Sequence, residues 1–174
     1  MDDRAGNFGR ENRTVSTATP SQKSLLIYTD GAARGNPGRG GYGVVLLWGS
    51  KRRELSQGYT HTTNNRMELM AVIAALQALT REGLEATIFS DSSYVVNAVE
   101  KGWLKNWLRT GFAGGKKNAD LWRQYHALAQ KHSVRFQWVK GHATNPLNNR
   151  CDVLATEAAD GGPWLDDVGY EPSA

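Results

Sequence analysis

The sequence predicts a mixed α/β fold, a five-stranded sheet flanked by helices. Three observations lead there. Two runs, LLIYTD and ATIFSD, share one pattern of apolar residues, an aromatic, a hydroxyl residue and an aspartate. Three strand-like segments precede the first helix with short links between them, which favours antiparallel pairing. After that, helical and strand patterns alternate, and helices that cross between strands belong to mixed α/β sheets.

Along the chain, LLIYTD is the first strand. YGVVLLW follows a Gly/Pro turn and is the second, because its β-branched and aliphatic residues suit a buried pleat. RRELSQGYT is more polar and reads as an edge strand blunted by charge. NNRMELMAVIAALQALTREG is a helix with Leu69, Val72, Ile73, Leu76 and Leu79 as its apolar stripe and Gly83 as its stop. ATIFSD is the fourth strand. SSYVVNAVEKG and DLWRQYHALAQKH are helical, VRFQWVKG is the fifth strand, and NNRCDVLATEAAD is the closing helix. Residues 1–23 are polar and charged without apolar periodicity, which predicts a disordered tail. The expected domain is 24–160. Residues 161–174 form a C-terminal tail opened by Gly161-Gly162, with Trp164 and Leu165 able to dock on the domain.

The 174 residues suffice for one domain with a sizeable core. No apolar run has the length of a bilayer span, and MDDRAGNFGRENR lacks the apolar region of a secretory signal. Cys151 is the single cysteine; it excludes an intrachain disulfide and fits a reducing, cytoplasmic setting. The net charge is +4, and its distribution carries more than its size. Lys101, Lys105, Arg109, Lys116, Lys117 and Arg123 fall in one stretch with Asp120 as its single acid, interleaved with Trp103, Trp107, Phe112 and Trp122. Cations set among aromatic surface suit a polyanion; a solvated helix face over core aromatics is the plainer reading.

GRGGYG, Gly38–Gly43, has the spacing of a dinucleotide-binding loop. That loop must open a helix, and here VVLLW follows, which is strand. No Lys-Ser or Lys-Thr follows to make a P-loop. The glycines read instead as a tight turn or a place of close backbone approach.

Four acids stand at element boundaries: Asp30 and Asp91 end the two matched strands, Glu68 lies early in the long helix, and Asp152 lies near the start of the last helix. Each has a structural explanation. Asp is a common turn and cap residue, Asn65-x-x-Glu68 has capping-box spacing, and an acid near a helix start gains from the dipole. If the two matched strands are parallel neighbours about 4.8 Å apart, their terminal acids can share one cation. Carboxylate oxygens suit Mg²⁺ or Mn²⁺. There is no cysteine–histidine cluster for zinc and no Gly-x-Ser-x-Gly elbow. A two-metal carboxylate site neutralises charge on both attacking and leaving oxygens in phosphoryl transfer.

With YTDGAARGNPGRGGYG, TTNNRMELMAVIAAL, SDSSYV, KGWLKNW, NADLW and WVKGHATNPLNNRCDVLA in this order, the chain resembles type 1 ribonuclease H, the bacterial enzymes above all, from about Leu25 to Asp160. The resemblance implies the ribonuclease H-like fold, with the fourth and fifth strands parallel to the first. It implies a monomeric endonuclease that hydrolyses the RNA strand of RNA–DNA hybrids with two metal ions, Mg²⁺ or Mn²⁺, leaving 5′-phosphate and 3′-hydroxyl ends. Asp30, Glu68, Asp91 and Asp152 match the family's metal-binding carboxylates. His142 matches a mobile-loop histidine that assists proton transfer or product release.

The resemblance also implies substrate contacts. Asn36, Asn64 and Asn65, with the turn around Ala33 to Gly35, would hold RNA. Thr63 and Asn118 would hold a phosphate of the DNA strand, and Ser92 would hydrogen-bond near the metal site. Trp103, Lys105, Trp107, Lys116 and Lys117 match the basic handle. The glycines of the first turn are expected to leave room for the RNA backbone. Two departures stand out: His61 occupies a position where the bacterial pattern has Arg, and GFAGGKKNADLW is a shortened handle. No N-terminal hybrid-binding domain is recognisable. The rival readings are a non-catalytic hybrid-binding module and a DNA nuclease of the integrase or resolvase type.

Overall fold

The structure, a computed structural model, describes residues 24–141 and 144–172. The predicted disordered tail and His142 lie outside the described residues. The strands are β1 (Leu25–Ala33), β2 (Gly38–Trp48), β3 (Lys51–Thr62), β4 (Glu85–Ser90), β5 (Ser133–Trp138) and β6 (Trp164–Leu165). The helices are α1 (Asn64–Gln77), α2 (Ser93–Glu100), α3 (Trp103–Arg109), α4 (Ala119–Ala129) and α5 (Pro146–Gly161). The sheet order is β5-β4-β1-β2-β3-β6. β1, β2 and β3 are antiparallel in succession, while β4 is parallel to β1 and β5 to β4, as expected.

The sheet has six strands rather than five. β6 is only two residues long, pairing Trp164 and Leu165 with Gly58 and Tyr59, too short to leave an alternating pattern. Tertiary contacts hold it: Trp164 Nε1 donates to the Ala159 carbonyl at 2.9 Å, and Arg39 lies 4.0 Å over the Trp164 ring.

Strand alternation sorts the core. Leu25, Ile27, Val44 and Leu46 face the larger cluster, closed by Leu69, Val72, Ile73 and Leu76 of α1 and by Trp122 and Tyr125 of α4. Tyr28 and Val45 point to the opposite face, where α5 covers them with Cys151, Leu147 and Leu154. α1 ends at Gln77, six residues before Gly83, so Leu79 packs against the core from outside the helix. α5 begins earlier than its apolar pattern suggests, with Pro146 in its first turn. The Asn145 side chain caps it, accepting from the Leu147 and Asn148 amides at 3.0 and 3.1 Å. No helix among the described residues is long and apolar enough to cross a membrane.

Candidate active site

The parallel register of β1 and β4 builds the centre of the site. Tyr28 stands beside Phe89, and their rings stack at 4.5 Å. Asp30 and Asp91 each come two residues later, so equivalent strand ends deliver two acids to one place. Glu68 arrives from α1, which crosses over this strand end. Gly31 makes that possible, because any Cβ there would run into the α1 backbone at Met67 and Glu68. The cap of α1 is Thr63, whose Oγ1 accepts from the Arg66 amide at 3.2 Å. The Asn65–Glu68 capping box does not form, and the Glu68 carboxylate is left to the site.

Asp30, Glu68 and Asp91 each offer an oxygen, all within 4.8 Å of one another. Asp152 stands outside this trio but acts on Asp30 through both charge and a hydrogen bond. It lies in the second turn of α5, beyond the first turn where a dipole would favour it. The helix-start explanation therefore fails for Asp152, as the capping explanation fails for Glu68.

The electrostatics are those of crowded anions. Burial first, then Asp91 and Asp152, lifts the pKa of Asp30 from 3.8 to about 8, although the Gly31 amide donates to its Oδ1 at 2.9 Å. Burial, followed by Asp30 and Asp91, raises Glu68 well above the usual carboxylate range. Glu68 Oε1 is buried with no hydrogen-bond partner. The nearby Arg34 is bound to Asp160 by two 2.7 Å contacts. Buried, mutually repelling carboxylate oxygens, one of them orphaned, form a donor set suited to a hard divalent cation.

The GRGGYG stretch is a place of close backbone approach, as expected, and at Gly41 and Gly43 the approaching backbone is that of α5. A Cβ on Gly41 would meet the Ala155 carbonyl at 2.6 Å and the Ala159 amide at 2.7 Å, and one on Gly43 would run into the Cys151 carbonyl. These two glycines admit α5, and with it Asp152, onto the sheet.

The other predicted residues are spread over several places. Asn36, Thr63, Asn65, Lys116, Lys117 and Asn118 line one cleft of about 890 Å³. Asn64 lies beside it, its amide donating to Asn36 Oδ1 at 3.0 Å. Ser92 is occupied as the cap of α2, accepting from Val95 at 3.1 Å. Trp103 is 42% exposed with the Lys101 ammonium 5.8 Å from its ring, and Lys105 is exposed on the same helix. Trp107 instead packs inward against Tyr94, Phe112 and Trp122. Gly141, the chain neighbour of His142, lies against the Asp91 carboxylate.

Sequence reasoning missed Arg66. It is 2% exposed, with Asp120 and Asp167 at 2.7 Å and Asn118 Oδ1 at 3.2 Å. Burial alone would lower its pKa; the bonds to Asp120 and Asp167 reverse the sign. The signal was present: an arginine at the spacing of the apolar stripe of α1 needs buried acids. Tyr170 and Glu171, from the C-terminal segment, line the same cleft and were also not foreseen.

The sequence model of the family described as RNase H matches residues 22–160. The chain belongs to the ribonuclease H family. Among relatives of this type 1 ribonuclease H, the ribonuclease H of Syntrophus aciditrophicus is 49% identical over 160 residues, covering 90% of this chain and 92% of that protein. That of Chlorobium phaeobacteroides is 55% identical over 141 residues, covering 79% and 96%. Among solved structures, LC9-RNase H1, a type 1 RNase H with the type 2 active-site motif, superposes with TM-score 0.73 at 28% identity, covering 87% of this chain and 78% of that one. LC11-RNase H1, solved in complex with an RNA/DNA hybrid, gives 0.61 at 26% identity, covering 79% and 97%. This ribonuclease H thus has the family's enzymatic class, which removes the non-catalytic reading.

Proposed function

We propose that this ribonuclease H hydrolyses the RNA strand of RNA–DNA hybrids, leaving 5′-phosphate and 3′-hydroxyl ends. The observation that carries the reading is the buried convergence of Asp30, Glu68 and Asp91 with the orphaned Glu68 Oε1. The hybrid complex of the LC11 neighbour supports the substrate.

Asp30, Glu68, Asp91 and Asp152 would hold two divalent ions, Mg²⁺ with Mn²⁺ as an alternative. Such ions, when bound, supply an activated water and charge neutralisation at the leaving oxygen. The chain's own residues do the rest. Asn36, Asn64 and Asn65, which can both donate and accept, suit the 2′-hydroxyls and base edges of the RNA strand. Thr63, Asn118, Lys116 and Lys117 give the DNA strand a phosphate-binding cleft, and Trp103 with Lys105 extends that basic surface along α3. Trp107 acts beneath this surface, supporting it from the aromatic cluster. Ser92 acts through α2, fixing the turn that follows Asp91. His142 assists proton transfer or product release, on the strength of the resemblance alone. The proposal extends to a monomer working in the cytoplasm.

Labelled RNA–DNA hybrid, double-stranded RNA and double-stranded DNA, each incubated with Mg²⁺ and with Mn²⁺, test the reading. Cleavage of the hybrid's RNA strand alone is expected. Cutting of double-stranded DNA at comparable rates would move the protein to the integrase- or resolvase-like reading.

A further inference from the structure

The acids Asp30, Glu68 and Asp91 are not held alike. Asp30 lies within β1, paired with Gly43, and Glu68 lies within α1. Asp91 lies in a bend beyond β4, whose ladder with β5 ends at the Ser90–Trp138 pair. Its charge repels Asp30 and Glu68, and it must keep its place outside any strand or helix. The C-terminal end of β5 supplies the support. The Trp138 indole Nε1 donates to the Asp91 carbonyl at 3.1 Å. The Val139 amide donates to the Ser90 carbonyl at 2.9 Å, one residue before Asp91. Ser90 Oγ accepts from the Ser92 amide at 3.1 Å, which closes the turn around Asp91. Gly141 completes the seat, because a Cβ there would meet Asp91 Oδ2 at 2.7 Å. Trp138 is 52% exposed and belongs to neither core cluster, so burial does not explain a tryptophan at this place.

We infer that Trp138 is a positioning residue for Asp91: its indole N–H clamps the Asp91 backbone and holds that carboxylate where it shares a divalent cation with Asp30 and Glu68. The inference rests on the reading of these three acids as a metal-binding trio. The clamp acts on the cation through Asp91 and not on the substrate. A carboxylate that drifts from its partners binds the cation less tightly and orients it less well, so cation affinity and the chemical step fall together. A ring that instead stacked on a base of the substrate would act on KM. Phenylalanine separates the two roles, because it keeps an aromatic face and removes the N–H donor.

The test compares the full-length parent with W138F, and with D91N as a control. The first readout needs no activity: the Mg²⁺ concentration that gives half of the Mg²⁺-induced rise in Tm, measured without nucleic acid. The second is kcat and KM on the RNA–DNA hybrid. W138F should need about fivefold more Mg²⁺ and lose about fivefold in kcat, the scale of one lost hydrogen bond. Its KM and its Tm in EDTA should match the parent's. D91N should lose both the Mg²⁺ response and cleavage. A parent-like Mg²⁺ midpoint in W138F, with D91N inactive, would overturn the inference and leave the metal-site reading standing. A raised KM at unchanged kcat would overturn it by placing the ring on the substrate. A fall in the EDTA Tm of W138F large enough to account for its lost activity would overturn it by making the indole merely structural. A D91N protein that kept both the Mg²⁺ response and cleavage would overturn the metal-site reading, and the inference with it.

Discussion

Asp30 is the residue on which the site turns. It lies in the fields of its neighbouring carboxylates, and its pKa of about 8 follows from burial and those charges. Replacing it by Asn removes one metal-binding carboxylate and one source of repulsion. D30N should therefore lose hybrid cleavage, by at least 100-fold, while remaining folded; turnover within tenfold of the parent would sink the assignment. The sign of its pH dependence follows from linkage. The folded carboxyl keeps its proton up to about pH 8, whereas the unfolded one releases it near 3.8. Its contribution is fully present below the unfolded value and is lost as pH rises through that window. Without metal, thermal stability should fall from pH 5 to pH 8 more steeply in the parent than in D30N, and Mg²⁺ should raise the parent's Tm more at pH 8 than at pH 5. Melting curves in EDTA and in Mg²⁺ check both, and parallel slopes in the two proteins would contradict them. The sequence named the four acids because they recur at element ends; their protonation depended on burial, which spacing does not encode.

At the scale of elements, α5 is the part whose placement the sequence specified least directly. Its approach depends on Gly41, Gly43 and Gly58, whose missing side chains make room for the backbone around Cys151, Ala155 and Ala158. A G41V change forces that helix away and should cost about 1–3 kcal/mol, the range for overpacking, measured by urea denaturation. Activity should fall further than the lost stability explains, because Asp152 moves with α5; full specific activity in the folded fraction would show that Asp152 tolerates the shift. The same glycines first suggest a phosphate loop and then an RNA-facing turn. A string of letters shows that side chains are absent, but only packing shows what fills the space. By contrast, α1 was legible from its long apolar stripe, and β1, β2 and β4 from short apolar runs, since these central strands are covered on both faces of the sheet.

Across the whole molecule, Arg66 joins α1, α4 and the C-terminal segment. It links Asp120 and Asp167, sequence separations of 54 and 101 residues. R66A leaves the nearly fully buried Asp167 carboxylate without its cation and should cost about 3–5 kcal/mol; a loss under about 1 kcal/mol by chemical denaturation would show that solvent takes over the role. The basic surface also acts at this scale. Replacing Lys105, Lys116 and Lys117 together with Ala should weaken hybrid binding and make log Kd less steep against log salt, by about one unit for every phosphate the lysines no longer reach. An unchanged slope would place the DNA strand elsewhere. The clustering of these lysines was visible in sequence, but the division of labour was not: Lys116 and Lys117 line the cleft, while Trp107 turns inward.

By itself the sequence determined the α/β class, the five main strands along the chain, the antiparallel pairing of the first three and the four candidate acids, because these depend on local periodicity and on residue type at fixed spacing; the parallel setting of the fourth and fifth strands followed from the family resemblance, and the order of strands in the sheet came from the tertiary structure. Only the tertiary structure decided that Thr63 rather than Asn65 caps α1, that the glycines seat α5, that β6 closes the edge of β3, and that Arg66 ties the C-terminal segment to the cleft. Those outcomes rest on contacts between residues far apart in the chain, where close packing and the pairing of buried charge select one arrangement that no local pattern records.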